Sequence, residues 1–132
     1  MSLTIARLAE QGAVGVETVR YYQRRGLMAE PALPMSYSSR GVRRYDETDV
    51  RRLRFIRSAQ AAGFTLEQIR ELLDFNENND RVRARALAQR QVAVLDDKIA
   101  KLREARQALA RLATECGASN SGPCPILRAF DG

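Results

Sequence analysis

Apolar residues recur at intervals of three and four along most of this sequence, the spacing that aligns them on one face of an α-helix. The first two such segments are short. Thr4 can cap a helix over residues 5–11, and a tight turn over residues 12–15 leads to a second helix over about residues 16–25. Two short helices joined by a glycine-containing turn form a helix-turn-helix, whose second helix enters the major groove of DNA.

Residues 27–45 interrupt the helical pattern with Pro, Ser and Gly, which favour turns. The segment ends in the basic stretch RGVRRY at 40–45. We interpret it as a hairpin, or wing, that would lie against the DNA backbone. The alternative is a surface loop whose arginines are incidental.

Two further helices follow, each with a recognisable start. Asp46 can cap a helix over about residues 47–62, whose first-turn acids suit the helix dipole. Thr65 and Gln68 have the spacing of a capping box for a helix that runs through about Phe75. The expected buried sides consist of Val50, Leu53, Phe55, Ile56 and Ala59 in the first helix, and of Leu66, Ile69, Leu72 and Leu73 in the second.

A long helix without Gly or Pro is predicted over about residues 81–113. A small domain cannot cover the apolar stripe of so long a helix. We therefore expect the same helix of a second subunit to cover it, in a symmetric homodimer. The alternative is a helix that folds back on its own N-terminal domain. The stripe has heptad spacing, is interrupted by Arg106, and consists of Val92, Leu95, Ile99, Leu102 and Leu109.

The charge balance indicates a polyanionic partner. The chain has 22 Lys and Arg against 16 Asp and Glu, and the excess is arginine, the better forked donor to phosphate and guanine. A membrane surface is the rival partner, but no apolar run approaches the length of a spanning helix. Because the first residues lack the apolar core of a signal peptide, we expect a cytoplasmic protein with reduced cysteines.

The second helix carries side chains that suit a DNA groove. It combines Arg20, Arg24 and Arg25 with the adjacent pair Tyr21 and Tyr22. Arginines can meet phosphates or guanine edges, and tyrosine hydroxyls can donate to phosphate oxygens. A solvated arginine face on a core helix is the alternative interpretation.

The tail, residues 114–132, is predicted as a loop rich in Gly, Ser, Asn and Pro, followed by a short helix with Pro125 in its first turn. It holds both cysteines of the chain, Cys116 and Cys124. Thiolates bind soft ions such as Cu(I), Ag(I), Au(I), Hg(II) and Zn(II), and a flexible loop would let both sulfurs reach one ion. Incidental free thiols, or a reversible disulfide, are the alternatives.

Catalysis is not expected. The sequence has no histidine, no glycine-rich phosphate loop and no nucleophile motif. A coiled-coil module that binds another protein remains an alternative, and salt-dependent binding to DNA would separate it from a DNA-binding protein. A metal chaperone or buffer would need no arginine-rich N-terminal half.

Over nearly its whole length the chain resembles the MerR family of bacterial transcription regulators. The resemblance rests on VRYY at 19–22 with RGL at 25–27, on VRRY at 42–45, and on the segment 49–69. It implies a mainly α fold with a winged helix-turn-helix DNA-binding domain at 1–75, a dimerisation helix at 80–113 in an antiparallel coiled coil, and an effector-binding loop with a short helix at 114–132. It also implies binding to a pseudo-palindromic promoter, which the regulator distorts on effector binding so that RNA polymerase can engage both promoter elements.

By position, the resemblance implies a set of DNA contacts. The second helix would contribute Thr18, Arg20, Tyr21 and Tyr22, and the wing would contribute Arg40, Arg43, Arg44 and Tyr45. The wing segment is longer than in the common mercury regulators.

With this resemblance, Cys116 and Cys124 become the expected metal ligands. The mercury, lead, zinc and cadmium branches have a third cysteine at the start of the long helix, where this sequence has about Arg81. Two thiols without a third resemble the copper-efflux branch, whereas VETVRYYQRRGL and RSAQAAGF resemble the mercury regulators. We expect Cu(I), Ag(I) or Au(I) ahead of Hg(II), with Arg81 near the ion and no organic cofactor. A thiol-reactive effector other than a metal, or a lost metal response, is the remaining alternative.

Overall fold

The computed structural model describes residues 2–33, 43–118 and 120–130. Within them the chain is mainly helical, as predicted, and one antiparallel bridge pairs Leu3 with Tyr45. The chain divides into two compact units, Met1–Leu87 and Ala88–Gly132. The helices of the described residues are α1 (Ile5–Gln11), α2 (Val16–Arg24), α3 (Glu47–Ala61), α4 (Leu66–Glu77), α5 (Arg81–Ala118) and α6 (Pro125–Ala129).

Side-chain caps fix where the helices of the first unit begin. The Thr4 hydroxyl accepts from the backbone N–H of Arg7, and Asp46 and Thr65 each form a complete capping box. Each cap satisfies backbone N–H groups that the first turn of a helix leaves without a partner. The predicted starts of α1, α3 and α4 are therefore confirmed.

The turn between α1 and α2 depends on a close approach to α3. A Cβ atom on Gly12 would lie 2.3 Å from Cδ2 of Leu53, a fully buried side chain of α3. The left-handed backbone conformation of this turn falls on Ala13, with a φ of 56°. Gly12 thus serves packing, while Ala13 carries the unfavourable backbone angle.

The core of the first unit is aliphatic with two tyrosines. α1 packs on α2 and α3, and α3 packs on α4. The fully or almost fully buried apolar side chains include Leu8, Val19, Tyr22, Leu27, Tyr45, Leu53, Ile56 and Ile69.

Two predictions about α3 and α5 were wrong in detail. Phe55 was placed on the buried side of α3, but its side chain is 40% exposed, because the buried side is already filled by Val50, Leu53, Ile56 and Ala59.

The long helix was expected to end near Ala113, yet α5 continues to Ala118. Residues 114–116 have no helix-breaking side chain, and a glycine near a helix end costs little. Cys116 therefore lies on the last turns of a helix rather than on a loop.

The helices of the second unit are the part of α5 from Ala88 onwards and the whole of α6. Most of the predicted heptad stripe is open to solvent in the single chain, with Val92 57% and Leu102 69% exposed. α6 begins at Pro125, as predicted, and the residue at its N-cap is Cys124. None of the helices in the described residues combines the length and the apolar character needed to cross a bilayer.

Candidate DNA-binding face and thiol site

α2 presents a polar face to solvent and buries the opposite one. Val19 and Tyr22 are buried, while Glu17, Arg20, Tyr21 and Arg24 are exposed. Positions 17, 20, 21 and 24 follow the three- and four-residue spacing of one helix face. The guanidinium of Arg24 lies 5.9 Å from the centre of the Tyr21 ring, a distance at which cation and ring attract. The α2 face, as we call these four residues, is a surface of two cations, one phenol and one carboxylate.

The two tyrosines of the pair on α2 have different environments. Tyr21 is 41% exposed, whereas Tyr22 is 3% exposed and its hydroxyl donates to the side-chain oxygen of Gln60 on α3. Burial also raises the pKa of Tyr22, because the phenolate would be poorly solvated. The predicted DNA contact of Tyr22 stays a prediction, but its hydroxyl is already used to join α2 to α3.

The two ends of the 27–45 segment are held together beside α2. Arg43 donates to the carbonyl oxygen of Pro31 at 2.9 Å and forms an ion pair of 3.0 Å with Glu30. The side-chain amide of Gln23 donates to the hydroxyl of Tyr45 at 2.9 Å. Arg43 thus joins one end of the segment to the other, and its predicted contact with DNA stays a prediction.

Of the remaining residues predicted to contact DNA from the wing, the structure describes Arg44 and Tyr45 but not Arg40. Arg44 is exposed and Tyr45 is buried, while Arg40 and the rest of residues 34–42 lie outside the described residues. On α2, Thr18 is half-buried. An open groove of about 450 Å³ lies between α2 and the ends of the 27–45 segment, and its lining includes Arg20, Arg24, Arg43, Glu30 and Tyr45.

Sequence reasoning named Arg24 as basic but missed two features of this surface. Glu17 lies on the α2 face, with its carboxylate 3.5 Å from the guanidinium of Arg20. Arg57 of α3 donates to the carbonyl oxygens of Gly12 and Ala13, in the turn that leads to α2. The signal for Glu17 was present in its spacing of three from Arg20. Nothing local indicated the partner of Arg57, which is more than 40 positions away.

The two cysteines meet at the junction of α5 and α6. The sulfur atoms of Cys116 and Cys124 lie 3.5 Å apart, within hydrogen-bonding distance, and both residues are half-buried free thiols. The first sits near the end of α5 and the second at the N-cap of α6. The predicted pairing of the two sulfurs is therefore present within one chain.

The two thiols have pKa values shifted in opposite directions. The backbone N–H of Leu127 lowers the pKa of Cys124 most, followed by the Cys116 thiol and the backbone N–H of Ile126, although no full capping hydrogen bond is formed. The hydrogen bond to Cys124 and its negative charge raise the pKa of Cys116. Of the two thiols, Cys124 is therefore the one expected to lose its proton first as the pH rises.

Within the described residues, no cluster of three or more His, Cys, Asp or Glu side chains is arranged to hold a metal ion. Arg81 is the first residue of α5 and is exposed. Its predicted place near the ion stays a prediction.

Comparisons with known proteins agree with this architecture. Residues 3–76 match the family described as MerR HTH family regulatory protein, and residues 50–112 match the one described as MerR, DNA binding. The chain is 39% identical over 132 residues to the mercuric resistance operon regulatory protein of Pseudomonas fluorescens, covering 99% of this chain and 89% of the relative.

Two solved structures extend the similarity to the whole fold. The transcription regulator PbrR691 from Ralstonia metallidurans CH34, in complex with lead(II), has a TM-score of 0.70 and 32% identity, covering 97% of this chain and 98% of the other. The regulator MerR from Bacillus megaterium MB1, in complex with mercury(II), has a TM-score of 0.66 and 28% identity, covering 98% and 100%.

The helix-turn-helix and these matches define the class of the protein, a DNA-binding regulatory protein. The chain belongs to the MerR family of helix-turn-helix regulators. The resemblance inferred from the sequence motifs is thereby confirmed.

Proposed function

We propose that the protein is a homodimeric transcription regulator that binds promoter DNA through the α2 face and responds to a soft metal ion held by Cys116 and Cys124. The observation that carries the effector half of the proposal is the 3.5 Å separation of the two sulfurs. As a promoter-binding protein it would act in the cytoplasm, together with RNA polymerase.

The α2 face supports the DNA-binding half. Arg20 and Tyr21 lie on the exposed side of the second helix of a helix-turn-helix, the helix that enters the major groove in such proteins. Arg20 can donate to a guanine edge or a phosphate, and the exposed Tyr21 hydroxyl can donate to a phosphate. The exposed Arg44 remains a proposed contact with the DNA backbone from the wing, as do Arg40 and Arg43, and Thr18 remains a proposed contact from α2.

The α5 stripe supports a homodimer. Val92, Ile99, Leu102 and Leu109 are each more than 40% exposed in the single chain, and they recur with heptad spacing. A stripe of this kind loses its contact with water when two copies of the helix pack together. Two α2 faces on one dimer would then read the two halves of a pseudo-palindrome.

The thiol pair suggests how ion binding would be transmitted. A metal–thiolate bond is about 2.3 Å, so a linear sulfur–metal–sulfur unit spans about 4.6 Å. Because the free sulfurs are 3.5 Å apart, binding must separate them by about 1 Å. One sulfur belongs to α5 and the other to the start of α6, so the ion would shift α6 relative to the end of the dimerisation helix.

The choice of ion rests on the number of thiols. Two sulfurs suit two-coordinate Cu(I), Ag(I) or Au(I), and the start of α5 carries Arg81 rather than a further thiol. Hg(II) is the second candidate, because it also accepts two thiolates and because the chain is 39% identical to a mercuric resistance regulator. A positive charge at Arg81 could neutralise the excess negative charge of a bis-thiolate site.

The DNA-binding half is tested with Arg20→Ala. Wild-type dimer should select specific duplexes from a random pool, and Arg20→Ala should lose that specificity while remaining dimeric by sedimentation. Arg7→Ala is the matched control, because Arg7 forms a similar exposed pair with Glu10 three positions away, but on α1. Full retention of specific binding by Arg20→Ala would contradict the assignment of the α2 face.

The dimer is tested with Leu102→Glu, which places a charge in the α5 stripe. We expect a concentration-dependent shift to monomer, whereas Ala100→Glu, on the same helix outside the stripe, should remain dimeric. A wild-type protein that sediments as a monomer would contradict the proposal.

The effector half is tested by titrating the reduced dimer with Cu(I), Ag(I), Hg(II) and Zn(II), followed by transcription from the selected promoter. Cys116→Ser and Cys124→Ser should retain DNA binding and lose the response to the ion. Induction that survives both substitutions would contradict the thiol site.

A further inference from the structure

Glu17 is the unexpected member of the α2 face. Its side chain is 83% exposed, it lies one turn before Arg20 and Tyr21, and its carboxylate is 3.5 Å from the guanidinium of Arg20. An acid in the first turn of a helix is stabilised by the helix dipole. The helix dipole would stabilise an acid at the start of any helix, so it does not explain why this one carries an acid. On the α2 face the carboxylate would be repelled by the phosphates of DNA, unless it has a partner there.

Glu17 is the second residue of α2, close to the N-terminus of that helix. In helix-turn-helix proteins, the N-terminal residues of the second helix contact the bases. In the major groove, the N4 amino group of cytosine donates the hydrogen bond that Glu and Asp side chains accept, whereas adenine presents its N6 donor beside the N7 acceptor. Facing guanine N7 and O6 or thymine O4, a carboxylate meets only acceptors and is repelled.

Arg20 beside it has the complementary preference, because a guanidinium donates to N7 and O6 of guanine. Side chains three positions apart on a helix have Cβ atoms about 5–6 Å apart, and successive base pairs are about 3.4 Å apart. The two side chains can therefore reach adjoining base pairs.

We propose that Glu17 is a specificity-determining residue that accepts a hydrogen bond from a cytosine amino group in each half-site, next to the guanine contacted by Arg20. This inference rests on the proposed DNA-binding function of the α2 face. In the free protein the carboxylate is paired with Arg20, and in the complex both groups turn to the bases. Glu17 therefore contributes more to discrimination than to affinity, because opposite guanine or thymine its carboxylate faces only acceptors.

The experiment compares wild type, Glu17→Ala, Glu17→Gln and Arg20→Lys on the duplex that wild-type dimer selects from a random pool, with each base pair replaced in turn. Glu10→Ala is the matched control, since Glu10 is an exposed acid that pairs with an arginine three positions away on α1. Thermal unfolding of each variant, and binding to a non-specific duplex over a range of salt concentrations, complete the set.

We expect wild type to lose about tenfold or more in affinity when one particular C·G pair of the half-site is replaced. Glu17→Ala should reduce that loss to less than about twofold, keep the losses at the other positions, and bind non-specific DNA more tightly. Glu17→Gln should move the preference at that pair towards adenine, because an amide pairs with adenine N6 and N7. Glu10→Ala should leave all position-specific losses unchanged.

Three results would overturn the inference. The first is a position map for Glu17→Ala that equals that of wild type or changes uniformly. The second is a loss of preference only at the pair that Arg20→Lys also relaxes, which would make Glu17 a positioning residue for Arg20. In both cases wild type still binds specifically, so the proposed function stands. The third is a failure of wild type to select any duplex, which would contradict the proposed function and this inference together.

Discussion

The guanidinium of Arg57 on α3 donates to the carbonyl oxygen of Ala13 at 2.8 Å and to that of Gly12 at 3.4 Å. These carbonyls follow the end of α1, where a helix leaves its last acceptors without backbone partners and favours a positive charge. The contact ties the turn of the helix-turn-helix to a helix more than 40 positions later. It therefore helps to set the orientation in which α2 is presented.

Replacing Arg57 with Met should weaken this tie while keeping the aliphatic part of the side chain. We expect the free energy of unfolding to fall by about 1 kcal/mol, because two carbonyl groups lose a charged donor at a partly exposed position. Urea unfolding at a fixed protomer concentration measures the change. Arg54→Met is the control, since Arg54 reaches only the exposed Gln11 side chain at 3.5 Å. Equal effects of the two substitutions would contradict a special role for Arg57.

Gly12 should tolerate no side chain, whereas Gly15 should accept one. A Cβ on Gly12 would overlap buried Leu53, but nothing lies within 4 Å of a Cβ on Gly15. We expect Gly12→Ser to lower the free energy of unfolding by about 1–3 kcal/mol through overpacking. Gly15→Ser should be neutral or slightly stabilising, because serine is a good N-cap and Gly15 is the N-cap of α2. Similar losses in both variants would show that chain flexibility, and not packing, requires Gly12.

The two adjacent tyrosines of α2 should have different roles: Tyr22 stabilises the fold, and Tyr21 contributes to DNA binding. Tyr22→Phe removes the donor to Gln60 and should lower the free energy of unfolding by about 0.5–1.5 kcal/mol. Tyr21→Phe should leave stability unchanged and weaken DNA binding, because its exposed hydroxyl has phosphate as its proposed partner. Stability and DNA affinity are measured on the same preparations. A larger loss of affinity in Tyr22→Phe, without a loss of stability, would assign the DNA contact to Tyr22 instead.

The thiol pair should react in a fixed order as pH rises. Because the pKa of Cys124 is lowered, its reactive thiolate appears at a lower pH than that of an ordinary cysteine, and Cys116 follows above the ordinary range. Alkylation of the reduced protein, followed by peptide mass spectrometry, should modify Cys124 first.

The single variants separate the causes of these shifts. In Cys116→Ser, the pKa of Cys124 should remain below that of an ordinary cysteine, since its largest stabilisation comes from the backbone N–H of Leu127. In Cys124→Ser, Cys116 should return to ordinary behaviour, since Cys124 is the main cause of its raised pKa. Modification of Cys116 before Cys124 in the wild type would contradict the expected order in which the two thiols lose their protons.

Local signals accounted for much of the fold in advance. The caps at Thr4, Asp46 and Thr65 act within three residues of the helix that each begins, so the sequence is sufficient to place these starts. The cluster of Arg20, Tyr21 and Arg24 on one face likewise follows from helical spacing alone. The pairing of Cys116 with Cys124 was expected from residue type and from the family resemblance, but no local rule supplied the distance between the sulfurs.

By itself, then, the sequence determined the helical segments, the family and the residues available for DNA and for a soft ion, since those depend on spacing and residue type. Tertiary structure decided which of two neighbouring tyrosines is buried, why Gly12 rather than Ala13 must lack a side chain, and how closely the two sulfurs approach. Those outcomes depend on α3 behind the turn and on the approach of the start of α6 to the end of α5. Contacts between residues distant in the chain are set by how its packed surfaces fit together, and periodicity along the chain carries no record of them.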